Sequence, residues 1–109
     1  MSRSSLALLG LCFALVACSA SPAPQFFGAA RHEVTLDGID FVVFVKADRA
    51  EVIRMGYLGR AERARVPPLM VRAAERASGC AVAGPARGPY RSPSLPGDTG
   101  EARFALDCG

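Results

Sequence analysis

Residues 39–46 read Ile39-Asp40-Phe41-Val42-Val43-Phe44-Val45-Lys46. Eight residues rich in β-branched and aromatic side chains, with no Pro or Gly, describe a strand. Successive strand side chains point to opposite faces, so Ile39, Phe41, Val43 and Val45 share one face. Asp40, Val42, Phe44 and Lys46 share the other. Both faces carry large apolar groups, which decides the architecture. This strand lies inside a sheet that needs cover on both sides.

Working outward, residues 32–36 (His32-Glu33-Val34-Thr35-Leu36) alternate and form a first strand. Asp37-Gly38 joins the two runs. Asp-Gly between apolar runs is a hairpin signal, because a type I′ turn needs positive φ at both central positions. After the turn Ala47-Asp48-Arg49, residues 50–57 suit a third strand through Val52, Ile53 and Tyr57. Asp48 followed by Glu51 also fits a capping box, which would start a helix there instead. Residues 58–65 are charged and read as loop or a loose turn. Pro67-Pro68 opens an amphipathic helix running to Ser78, with Leu69, Ala73 and Ala77 on one side and Arg72, Glu75 and Arg76 on the other. Gly79 stands where a left-handed cap belongs. Cys80–Val82 enters a short strand, residues 83–100 form a Pro/Gly-rich loop, and residues 101–107 alternate as a last strand. In that strand Ala102, Phe104 and Leu106 point inward, with Arg103 and Asp107 outward. The expected class is α+β: a small antiparallel sheet in the order β-β-β-α-β-β, one helix packed on a face, and one disulfide.

The N-terminus carries a different message. Arg3 precedes an apolar run from Leu6 to Ala17 of secretory length. About 20 apolar residues are needed to span a bilayer, so this run is too short for a permanent anchor. It ends Leu15-Val16-Ala17-Cys18, which resembles the lipobox of bacterial lipoproteins. The resemblance covers only the signal and implies that the chain is cut before Cys18, whose thiol carries a diacylglycerol. Ser19 in place of Asp then favours the outer membrane over the inner. An ordinary signal peptidase could instead cut after Ala20 and release a soluble exported protein. The division expected is a signal at residues 1–17, a flexible tether at 18–30 and a disulfide-stapled domain at 31–109. Phe26 and Phe27 interrupt the tether and would pack on the domain edge or touch the membrane.

The 109 residues carry four cysteines, one histidine and a formal charge of +3. Losing Arg3 with the signal lowers that charge further, too little to argue for nucleic acid. With Cys12 in the signal and Cys18 on lipid, Cys80 and Cys108 remain, and in an oxidising compartment they pair. Their spacing is not that of a CxxC redox pair. A zinc site would need more ligands than His32 and two bonded cysteines supply. No cofactor is implied.

No motif selects a nucleophile or an acid–base pair, so a small enzyme is the weaker reading. A non-catalytic interaction module is the stronger one. Its candidate contacts are Val42 and Phe44, which one helix cannot cover, and Arg87, Tyr90, Arg91 and Leu95 in the Pro-stiffened loop. Cover for Val42 and Phe44 would come from that loop, through Tyr90, or from an envelope partner or a second copy. Phe44→Ser is then expected to disrupt association without unfolding. A further alternative is that Arg49, Arg54, Arg60, Arg63, Arg65, Arg72 and Arg76 hold anionic lipid or cell-wall polymer. Their plainer role is a solvated, salt-bridged face.

Overall fold

A computed structural model describes residues 20–92 and 100–109. The signal segment, Cys18, and the loop positions Leu95 and Asp98 lie outside the described residues.

Five strands form one antiparallel sheet: β1 (Ala30–Leu36), β2 (Ile39–Lys46), β3 (Arg49–Arg54), β4 (Ala81–Pro85) and β5 (Glu101–Asp107). Their spatial order is β1-β2-β3-β5-β4. Asp37 and Gly38 turn the first hairpin with φ of 51° and 77°, both positive as a type I′ turn requires. Leu36 pairs with Ile39 across it. The second hairpin closes as tightly, with Lys46 opposite Arg49. Residues 49–54 are therefore strand, not helix, and the strand is shorter than the sequence suggested. It ends at Arg54, and Tyr57 beyond it is 95% exposed.

Within residues 58–65 the turn alternative holds in part, as a single helical turn, α1, at Arg60–Arg63. The main helix, α2, runs Val66–Ser78 with prolines in its first turn. It stops at Gly79 (φ 73°), whose N–H donates to the Glu75 carbonyl. The apolar face of α2, through Val66, Leu69, Met70, Ala73 and Ala74, packs on Val34, Leu36, Ile39, Phe41, Val43, Val52 and Leu106. These are the odd positions of β2 and the even positions of β1, β3 and β5, the face that pleat alternation assigns to the helix. Cys80 and Cys108 are bonded, with Cα atoms 4.6 Å apart, and staple the start of β4 to the end of β5.

The opposite face is also closed, by the chain's own N-terminal segment. Residues 18–30 were expected to be a flexible tether. From Ala20 onward they are part of the fold, with a 3-10 turn at Pro24–Phe26 and Phe26 fully buried. Phe26 packs with Val42 and Phe44, and Ala20, Ala23, Ala29, Ile53, Met55 and Tyr90 complete the cluster. The next residue, Phe27, is 62% exposed.

Candidate functional site

The most chemically distinctive region is this second face. Register places Glu51 of β3 opposite Phe44 of β2 and opposite Arg103 of β5. All three side chains share the face that Phe26 covers. Sequence alternation alone sends Arg103 outward, but it is buried, because outward from the helix here means inward to a second core.

Arg103 Nε donates to Glu51 Oε2 at 2.9 Å, with side-chain exposures of 8% and 0%. The other Glu51 oxygen accepts the backbone N–H of Ala23 at 2.9 Å. The Arg103 guanidinium also reaches Glu101 Oε1 at 3.0 Å and the Arg91 carbonyl at 2.7 Å. The Arg103 backbone N–H donates to Ser92 Oγ at 2.8 Å. One ion pair thus fastens three separate pieces of chain: the N-terminal segment, the sheet and the segment after β4. Burial first, and then a hydrogen bond with the Glu101 carboxyl, push the Glu51 carboxyl up to about 7, against the Ala23 N–H and Arg103.

An aromatic layer lies beside the ion pair. Phe26 and Tyr90 meet edge to face at 5.6 Å and 88°. The Arg49 guanidinium stacks on the Tyr90 ring, 3.9 Å from its centre. Gln25 Nε2 donates to the Pro89 carbonyl at 2.9 Å, binding the N-terminal segment to the 3-10 turn Gly88–Tyr90. Between these segments a shallow cleft opens, with Arg91, Ser92 and Arg103 among its lining residues.

The candidate contact residues therefore separate. Val42 and Phe44 are buried under Phe26 and cannot meet a partner without displacing it. Tyr90 does supply part of their cover, as the sequence suggested. The rest comes from the N-terminal segment, where the sequence offered Phe26 and Phe27 for the domain edge: Phe26 packs instead across the sheet face, and Phe27 stays exposed. Arg87 and Arg91 are exposed. Arg87 borders a shallow groove shared with Arg49, while Arg91 offers its carbonyl to Arg103. His32 sits half-buried in β1. Among the described residues, no three His, Cys, Asp or Glu side chains converge as metal ligands would. Arg60, Arg63, Arg65, Arg72 and Arg76 are exposed along the helical side, with Arg65 bound to Glu62.

Sequence alone places Glu51 in the third strand, or in a capping box with Asp48, and does not pair it with Arg103 across β3 and β5. The signal was available: opposite charges at Glu51 and Arg103, on adjacent strands, sharing the pleat face of Val42 and Phe44. A proton near neutrality on Glu51 resembles a general acid in isolation. Here both oxygens are held by Ala23 and Arg103 and face protein, so the group serves to fasten chain segments. No protein-family model, curated protein or solved structure matches this chain.

Proposed function

We propose that this chain is an exported lipoprotein of the cell envelope, held to a membrane by lipid on Cys18, whose domain is a non-catalytic interaction module. The observation that carries the address is Leu15-Val16-Ala17-Cys18 at the end of an apolar run of secretory length. The Cys80–Cys108 disulfide fits an oxidising compartment outside the inner membrane. Ser19 after the cysteine favours the outer membrane, with the domain in the periplasm. The module reading is supported by the use made of the buried ionisable groups. Glu51 and Arg103 bind parts of the fold to one another.

The test is the intact mass of the protein from isolated membranes, with and without reduction and alkylation. The expected species begins at Cys18, carries diacylglyceryl and acyl groups, and gains two alkylated thiols only after reduction. A lighter soluble species beginning at Ser21 overturns the anchor. A second reading, anion binding by the helical side, draws on the exposed Arg60, Arg63, Arg72 and Arg76. Binding to anionic vesicles that collapses with added salt would favour it.

A further inference from the structure

The two edges of the sheet are not alike. β4 is short, carries a register shift between Val82 and Gly84, and ends in Pro85. Bulges and prolines are the usual means of blunting an edge against further pairing. β1 has none of these. It holds an unbroken register with β2 over all seven residues, Ala30 to Leu36, with no Pro, no Lys and no bulge.

Which backbone groups β1 leaves unused follows from the turn. Leu36 and Ile39 flank a two-residue hairpin loop and form a hydrogen-bonded pair. The alternation then directs the N–H and C=O groups of Ala30, His32, Val34 and Leu36 to β2. On β2 the intervening residues turn the other way, as the Asp40 carbonyl shows by accepting the Met55 N–H at 2.9 Å. On β1 the corresponding outward residues are Arg31, Glu33 and Thr35.

Those residues carry a charge pattern that selects a partner. Arg31 and Glu33 are two apart on one pleat face, and their side chains touch at 2.9 Å. An antiparallel copy of the same strand, centred on His32, sets each Arg31 opposite the other copy's Glu33. Centring on Glu33 or Arg31 sets like charges opposite one another, which is destabilising. We propose that β1 pairs with β1 of a second copy of this chain, antiparallel and in register about His32, joining the two sheets into one. This deepens the interaction-module reading and does not depend on the lipid.

The symmetry is consistent with one membrane. A twofold axis through the His32 pair runs perpendicular to the joined sheet. It keeps both α2 helices on one face and both N-terminal segments on the other. Two anchors attached to those segments emerge from the same face.

The test uses the full-length chain, expressed with its signal and purified in mild detergent. Its mass by sedimentation at graded concentration is expected to be that of a dimer. Glu33→Arg faces Arg31 with a second arginine and is expected to weaken association at least about tenfold. The double variant Arg31→Glu/Glu33→Arg restores opposite charges with their places exchanged and is expected to restore the dimer. Both side chains lie on the outer strand, and unchanged circular dichroism excludes misfolding as the cause. His32→Cys places two thiols across a close, non-hydrogen-bonded pair and should give a reducible crosslink in intact membranes, mapping to position 32 of both copies. A monomer at all concentrations overturns the proposal. So does a dimer indifferent to Glu33→Arg, a double variant that stays monomeric, or a crosslink from position 32 to a different protein. None of these outcomes alters the mass that tests the Cys18 anchor.

Discussion

Glu51 shows how much one residue can be asked to hold. Its carboxyl is raised from an ordinary value of 4.5 to about 7 by burial. The folded state therefore binds a proton that the unfolded chain gives up at lower pH. Its share of stability is fully present below the unfolded value and is lost as pH rises through about 7. Thermal unfolding should accordingly give a Tm that falls between about pH 5 and about pH 8. Glu51→Gln keeps one acceptor oxygen, for either the Ala23 N–H or the Arg103 guanidinium, and sets its NH2 against the other donor; it lowers stability overall but cannot ionise, and should flatten that slope. A slope that survives the substitution would assign it to other groups. Arg103→Met leaves Glu51 buried without its cation. Breaking one side of such a pair costs about 3–5 kcal/mol, so chemical denaturation should show a large loss. Phe26→Ala should cost a similar amount, about 3–5 kcal/mol, because it empties the centre of the second core. That result would be unexpected for a residue in a free tether.

At the scale of elements, the hairpins and the helix answer to local chemistry. Asp37-Gly38 and Gly79 sit where positive φ is needed. Ala47 does not suit its place, since it adopts φ 53° in the second turn. Ala47→Gly should relieve that conformation and stabilise by up to about 1 kcal/mol, measurable as a rise in denaturation midpoint. The strands 32–36, 39–46 and 101–107, the helix through Ser78 and the disulfide were legible because each is written in periodicity, turn residues or cysteine arithmetic. The back face was legible only as a demand, since Val42 and Phe44 required cover. What met it was hidden. Residues 20–29 have no period, and their small residues and prolines resemble a linker. Only Phe26 betrays them, and one aromatic does not reveal where it docks. The expectation for Phe44→Ser changes in consequence. The substitution should unfold the domain, because Phe44 lies between Phe26 and the sheet, with no open surface over it.

The whole molecule is a sheet held from three directions, by α2 on one face, the N-terminal segment on the other and the disulfide at one end. Replacing Cys80 and Cys108 by Ser releases a loop closed over a sequence separation of 28 residues. The chain-entropy account puts the loss at roughly 3–4 kcal/mol, readable as a lower denaturant midpoint. The docking of Ala20 has a consequence for movement. Two residues of chain reach at most about 7 Å, so a lipid on Cys18 would leave the domain almost no leash. It would glide with its base against the lipid and search in two dimensions instead of sampling the depth of the periplasm. Targets deep in the cell wall would be out of range, while anything drifting in the same leaflet would be met again and again, another copy of itself included.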